Sequence, residues 1–179
     1  MRSGVFSLKG SRRLAGCALL LAAVFSLPNI GRDFAAAETN EKEAPDFALR
    51  SLEGQNLRLS EFRGEVVMIN FWASWCGACR QAMPALNELD EKYRRAGLVL
   101  LSINIDDETP RAEQMALGLK IRFPVLRDEQ KAVSRLYQAD TMPLTVLVDR
   151  EGTVRYSHVG YNLGDERKYI SELRTLLNE

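Results

Sequence analysis

The hydrophobic positions of this chain form short continuous runs that alternate with stretches of helical spacing. The runs at residues 66–71 and 98–105 are apolar almost throughout, which is typical of strands covered on both faces. Between the two runs, apolar residues recur at the spacing of one helix face: Ala82, Leu86, Leu89 and Tyr93. Gly97 is suited to end that helix in a left-handed conformation. A strand, a helix and a second strand in this order predict a parallel pair of strands.

Shorter patterns on either side of this unit predict the remaining elements. Apolar residues at 47–49 and 57–59 flank a turn sequence and predict a small hairpin before the main sheet. Thr109 followed by Pro110 predicts an N-cap and a first helical position. Further along, the pattern predicts an edge strand at residues 123–126 and a helix at 132–137. It then predicts a strand hairpin at 144–159 and an amphipathic closing helix at 169–177. Parallel strands followed by an antiparallel hairpin predict an α/β fold, with a mixed central sheet and helices on both faces.

The first 37 residues have the layout of a secretory signal. Four basic residues lead into an apolar stretch at 14–27, and a run of alanines at 35–37 is a candidate cleavage site. An uncleaved N-terminal membrane anchor is the alternative, although the apolar stretch is shorter than the about 20 residues that cross a bilayer. In either case we expect the folded part outside the cytoplasm, periplasmic or anchored and facing outward. Residues 38–44 are predicted to be a linker, and residues 45–179 a single domain.

Composition and charge exclude several classes of function. Twenty-four basic and 24 acidic residues give a formal net charge of zero, so there is no electrostatic case for a nucleic-acid partner. The sequence contains no phosphate-binding glycine loop and no internal repeat. A zinc site needs about four ligands, whereas only Cys76 and Cys79 cluster here, with His158 far away in sequence. We therefore expect no metal and no cofactor.

Cys76 and Cys79 lie where the first buried strand passes into the following helix. The unpaired N–H groups and the positive dipole end of a helix favour an anion at that point. Cys76 is therefore expected to form a thiolate more readily than a free cysteine, whose pKa is about 8.5. One helical turn brings Cys79 close to Cys76, so the pair can close and reopen a disulfide. If the leader is removed, Cys17 is lost with it, and an exported domain with this single pair uses it for redox chemistry or as a local staple.

The residues around these cysteines resemble those of thioredoxin-fold proteins. The resemblance lies in Trp-Cys-Gly-Ala-Cys at residues 75–79, in Pro84, and in Met142-Pro143 before an apolar strand. With the export signal, the early hairpin and Trp-Ala-Ser-Trp at residues 72–75, the chain is similar to the exported TlpA/ResA-like thiol–disulfide oxidoreductases over about residues 45–177. The resemblance implies a thioredoxin-like three-layer fold with an added N-terminal hairpin.

The resemblance also implies an activity and partners. It favours reduction of disulfides in exported proteins, for example in the maturation of cytochrome c or of another metalloprotein. The reduced state would then be restored by a thiol electron donor in the membrane. Dithiol oxidation is the opposite direction of the same exchange. A non-enzymatic binding or chaperone module, whose cysteines only lock the fold, is the alternative of a different class.

Individual roles follow from the resemblance. Cys76 would be the attacking thiolate and Cys79 the resolving thiol. Pro143 matches the cis-proline of the family, and Met142 before it would pair its backbone with an extended substrate. Trp75 would lie beside the attacking sulfur, where simple packing is an equally good interpretation.

Other positions depart from the pattern of thioredoxin itself. Asn70 stands where thioredoxin has a buried aspartate that is thought to move the proton of the resolving cysteine. In ResA-like proteins a carboxylate after the next strand lies near the cysteines, and Asp107 or Glu108 is its counterpart here, with Glu108 slightly preferred. A solvated loop that caps a helix is the other interpretation of residues 106–108. His158 is interpreted as a packing or surface residue rather than a base.

Overall fold

The computed structural model describes residues 42–179, so the predicted leader, Cys17 and most of the predicted linker lie outside the described residues. The strands are β1 (Ala48–Arg50), β2 (Asn56–Arg58), β3 (Val66–Trp72), β4 (Leu98–Asn104), β5 (Val125–Arg127), β6 (Leu144–Val148) and β7 (Val154–Val159). The helices are α1 (Gly77–Tyr93), α2 (Thr109–Gly118), α3 (Ala132–Leu136) and α4 (Glu166–Leu177). Within residues 42–179, none of the helices combines the length and the apolar character needed to traverse a bilayer.

The central sheet has the strand order β5-β4-β3-β6-β7. β3 runs parallel to β4 and β4 parallel to β5, while β6 pairs antiparallel with both β3 and β7. β1 and β2 form a separate antiparallel hairpin. The predicted mixed sheet, the early hairpin and the edge position of β5 are therefore confirmed.

Alternate residues of the central strands bury opposite faces of the sheet. Along β3, Val66, Met68 and Trp72 join the cluster formed with α1, α2 and α4, whereas Val67, Ile69 and Phe71 join the cluster formed with α3 and the hairpin. Burying a side chain of this size stabilises the fold by about 1.5–3 kcal/mol. Because both faces are covered, a continuous apolar run and not an alternating one marks these strands in the sequence.

Two chain reversals depend on glycine. Gly97 follows a short 3₁₀ turn at Arg94–Ala96 and has φ 99°, and Gly152 has φ 88° in the turn between β6 and β7. A side chain at such a φ is unfavourable, which is the physical reason that glycine marks these two turns. The predicted end of the first long helix and the predicted hairpin turn are confirmed.

The start of α2 differs from the expectation. Thr109 is the first helical residue and Glu108 occupies the N-cap position without a side-chain capping bond. The hydroxyl of Thr109 instead donates to the carboxylate of Glu129 at 2.8 Å and accepts a hydrogen bond from Arg127. The prediction of Thr109 as the cap was wrong, because partners distant in sequence engage its hydroxyl.

Candidate active site

Cys76 and Cys79 form a disulfide across the first turn of α1, with their Cα atoms 5.2 Å apart. β3 ends at Trp72, and the chain crosses residues 73–75 before Cys76 takes the N-cap position in extended conformation, with φ −87° and ψ 110°. The backbone N–H of Cys79 points at Sγ of Cys76, with N and Sγ 3.0 Å apart. The helix therefore aims a donor at the sulfur of residue 76.

The two sulfurs differ in their access to solvent. Cys76 is 7% exposed, while Cys79 is fully buried in the cluster that includes Ala82 and Met83 of α1. Trp75, next to the outer cysteine, is 69% exposed. Of the two cysteines, Cys76 is therefore the more accessible to an incoming group.

The Met142–Pro143 peptide bond is cis, as the resemblance implies. Pro143 directly precedes β6, and the pairing of Leu144 with Phe71 places it at the end of β3, where the cysteine loop begins. Gly160 donates its N–H to the carbonyl of Pro143 at 2.7 Å. Met142 packs against the cluster that holds both cysteines, and no loop hydrogen bond within the described chain uses its backbone N–H or carbonyl.

A buried carboxylate, Asp106, joins the loop after β4 to the cysteine loop. Its oxygens accept from the backbone N–H of Ser74 at 3.1 and 3.0 Å and from Nδ2 of Asn104 at 3.0 Å. Oδ1 of Asn104 in turn accepts a hydrogen bond from the backbone N–H of Asp106. Ser74 stands two residues before Cys76, so Asp106 holds the approach to the outer cysteine.

Sequence reasoning did not single out Asp106. A signal was present, because residues 98, 100, 102, 104 and 106 continue one face of β4, and that face bears α1. An acidic residue at the end of this series is directed toward the cysteine side of the sheet. Only its partners in the folded chain distinguish it from the two acidic residues that follow.

Asp107 and Glu108 lie at the surface beside Trp75. Asp107 pairs with Lys131 at 2.7 Å, and Glu108 pairs with Arg111 at 3.2 Å. The hydrogen bond from Lys131 lowers the pKa of the Asp107 carboxyl below its usual value. Trp75, Arg111 and residues 106–108 line one cavity of about 160 Å³, so the structure brings both predicted acids to the tryptophan next to Cys76.

Asn70 and His158 belong to the packing of the sheet against α1 and α4. Asn70 is buried and donates from Nδ2 to Oγ1 of Thr145 at 3.0 Å. His158 has its Nε2 2.6 Å from a carboxylate oxygen of Glu172, and its ring packs on Tyr169. In residues 42–179, no three side chains of His, Cys, Asp or Glu come together in a group that could hold a metal ion.

Comparison with known proteins gives concordant matches. The model of the AhpC/TSA family matches residues 41–157. The thiol–disulfide oxidoreductase ResA of Geobacillus thermodenitrificans is 38% identical over 112 residues, which are 63% of this chain and 64% of that relative. The thioredoxin-like protein YneN of Bacillus subtilis is 31% identical over 153 residues, covering 82% of this chain and 89% of YneN.

A solved structure extends the similarity to the fold. The crystal structure of a Chlorobium tepidum protein, named as a candidate thiol:disulfide interchange protein DsbE, superposes with a TM-score of 0.74 at 36% identity. The match covers 76% of this chain and 96% of that one. The matched part thus spans nearly all of the solved protein but 64% of the length of the ResA relative.

Proposed function

Because the chain belongs to the AhpC/TSA family of thioredoxin-like proteins, we propose that it is a thiol–disulfide oxidoreductase that works by exchange at Cys76 and Cys79. The observation that carries the proposal is the asymmetry of the disulfide. Cys76 is at the N-cap of a 17-residue helix and is 7% exposed, while Cys79, one turn further on, is fully buried. A disulfide that only locked a fold would need neither this difference in access nor the helix N-terminus beside Cys76.

The exchange proceeds in two balanced steps. In the reduced protein, the Cys76 thiolate attacks one sulfur of a substrate disulfide, forming a mixed disulfide and releasing the other substrate sulfur as a thiolate. The Cys79 thiolate then attacks Sγ of Cys76, which forms the internal disulfide and releases the second substrate sulfur. Two electrons pass to the substrate, and its two thiolates take up two protons in all.

The residues around the disulfide have assigned roles in this scheme. The N–H of Cys79 and the N-terminus of α1 stabilise negative charge on Sγ of Cys76. Met142 and Pro143 receive the substrate backbone, and Trp75 supplies an exposed aromatic contact next to the sulfur. Asp107 or Glu108 is the acid assigned to the proton of the resolving cysteine, and both line a cavity with Trp75, the residue before Cys76.

The direction and place of the reaction belong to the same proposal. The protein acts as a reductant on disulfides of exported proteins, such as those matured with cytochrome c or another metalloprotein, and a membrane thiol donor restores it. Residues 1–37 direct it out of the cytoplasm or anchor it, residues 38–44 form the linker, and residues 45–179 are the redox domain. The leader-like layout of the N-terminal sequence and the ResA and DsbE names of its relatives support this assignment.

An insulin-reduction assay tests the activity. We expect Cys76→Ser to abolish turnover, because the thiolate is the nucleophile in the first step. Cys79→Ser should instead accumulate the mixed disulfide, since the first step remains possible and the second does not. Ser134→Ala, on the opposite face of the sheet, is the control and should keep the wild-type rate. A Cys76→Ser protein that reduced insulin at the wild-type rate would favour the binding or chaperone alternative.

A redox titration in glutathione buffers tests the direction. We expect a potential near that of thioredoxin, about −270 mV, rather than near that of a strong periplasmic oxidant, about −120 mV. The gap of about 150 mV corresponds to roughly 7 kcal/mol for two electrons, so the two outcomes are well separated. A value close to the oxidant would reverse the assigned direction and leave the exchange chemistry intact.

A further inference from the structure

A groove of about 630 Å³ adjoins the cysteine loop and lies between Arg80, near the start of α1, and α2. Ser74 and Arg80, which flank the cysteines in sequence, line one side, and Arg111, Gln114 and Met115 line the other. We call this space the Arg80 groove. Since it begins within two residues of Cys76, a polypeptide whose sulfur reaches Cys76 can extend directly into it.

The charge in the Arg80 groove is positive. Arg80 and Arg111 both line it, and no carboxylate does. Within the part of the chain that the structure describes, Arg80 forms no ion pair, and its hydrogen bond goes to the carbonyl of Ser74 at 3.5 Å. Arg111 pairs only with Glu108, at a site where both side chains are about two-thirds exposed. The groove therefore keeps an unneutralised guanidinium in a protein whose formal net charge is zero.

The floor of the groove is apolar. Met115 is buried and Leu119 is half-buried, and both belong to the cluster of the cysteine face. A strand-like peptide can lay alternate side chains on this floor while its other side chains reach the rim. Two guanidinium groups at the rim match carboxylate side chains in geometry and charge.

We propose that the Arg80 groove binds an acidic polypeptide segment next to the disulfide cysteine of a protein substrate. The inference rests on the proposed function, because it assigns a substrate class to the same site. A nucleic acid would need a far more extensive basic surface than two arginines. An acidic peptide, by contrast, offers carboxylates for the two arginines and other side chains for the apolar floor between them.

The preference can be measured with three disulfide-bridged peptides of equal length, whose cysteines are flanked by Glu-Glu, Gln-Gln or Lys-Lys. Pre-reduced protein is mixed with each peptide in single turnovers, and the rate constants are compared. An exposed ion pair changes affinity by up to about fivefold. We expect the Glu peptide to react about three- to tenfold faster than the Gln peptide at low ionic strength, and the ratio to shrink as salt is added.

The double variant Arg80→Gln/Arg111→Gln should bring the Glu-to-Gln ratio close to one. Comparing two peptides within one variant removes any effect of Arg80 on the reactivity of the nearby cysteines. Arg135→Gln is the control for loss of an arginine away from the groove, because it removes one from α3, on the other face of the sheet. That control should keep the wild-type ratio. A ratio near one in the wild type, or an unchanged ratio in the double variant, would overturn the inference.

A binding measurement separates this inference from the proposed activity. A Glu-rich peptide with serine in place of cysteine is titrated into the oxidised protein, and backbone amide signals are followed by NMR. Shifts at Ser74 and Gly118 that vanish in the double variant support the groove, even if no peptide is reduced and the proposed activity fails. Reduction of every peptide at one rate, without such shifts, rejects the groove and keeps the activity.

Discussion

The different exposure of Cys76 and Cys79 determines which sulfur can react with a partner. Cys76 is in the extended N-cap conformation, while Cys79 already belongs to the helix and points into the cluster under α1. The change of backbone conformation between them leaves Cys76 slightly exposed and Cys79 fully buried in the core. The more accessible cysteine, Cys76, is also the one whose sulfur the first turn of α1 stabilises as an anion.

At the residue scale, Asp106→Ala is expected to destabilise the protein by about 2 kcal/mol. The substitution removes the acceptor of the half-buried Ser74 N–H and leaves Nδ2 of Asn104 with only the carbonyl of Trp72 at 3.5 Å. An unpaired buried donor costs about 1–3 kcal/mol. Asp106→Asn retains one acceptor oxygen and should lose less. Urea denaturation of the oxidised protein measures both values.

Asp107→Ala is the matched control for Asp106, because its carboxylate is exposed and pairs only with a surface lysine. It should leave the denaturation midpoint nearly unchanged. Equal losses for the two alanine variants would show that Asp106 does not hold the loop.

At the scale of elements, the β1–β2 hairpin covers the face of the sheet opposite to the cysteines. Phe47 is buried there and meets the ring of Tyr137 edge-on, with centroids 6.1 Å apart. The cysteines and α1 pack on the other face. The hairpin therefore covers the core, and we expect the proposed exchange at Cys76 and Cys79 not to depend on contact with it.

Phe47→Ala should accordingly lower the free energy of unfolding by about 3–5 kcal/mol, the usual cost of removing a buried phenylalanine. The rate of insulin reduction by the molecules that remain folded should stay within about twofold of wild type. A twofold change in rate corresponds to about 0.4 kcal/mol in the activation free energy. Denaturation curves and initial rates below the unfolding transition provide the two measurements. Leu136→Ala, at a position 55% exposed, is the control and should cost less than about 0.5 kcal/mol.

At the scale of the whole molecule, buried tyrosines make stability depend on alkaline pH. Burial is the main cause that raises the pKa of Tyr137, Tyr161 and Tyr169 above 10. The unfolded chain loses these protons first, so it binds fewer protons than the folded chain at high pH. The free energy of unfolding should therefore be unaffected by these groups below about pH 9 and should fall as the pH rises through 10.

Denaturation midpoints at pH 8 and above pH 10 check this expectation. Tyr169→Phe should flatten the decline, because it removes one of the three shifted groups. Tyr156→Phe is the control, because Tyr156 is only half-buried on β7, and this substitution should leave the slope as in wild type. A stability that stays constant through this pH range would contradict the argument.

The sequence by itself determined the order of the elements and the location of the cysteine pair at the start of a helix. Local conformation and burial both determine which residue types occur at successive positions. They therefore produce the continuous apolar runs, the helical spacing and the turn glycines that can be recognised along the chain. The predicted strands and helices are therefore confirmed to within a few residues, and the thioredoxin-like fold implied by the resemblance is confirmed by the solved structure at 36% identity.

The tertiary structure alone decided which polar side chains meet. Thr109 looked like a helix cap and bonds to Glu129, and Asp106 looked like one of three loop acids and holds Ser74. The Arg80 groove joins residues from α1 and α2 that no local pattern relates. Such partnerships depend on distances between segments far apart in sequence, and a hydrogen bond or an ion pair leaves no period along the chain that could reveal it.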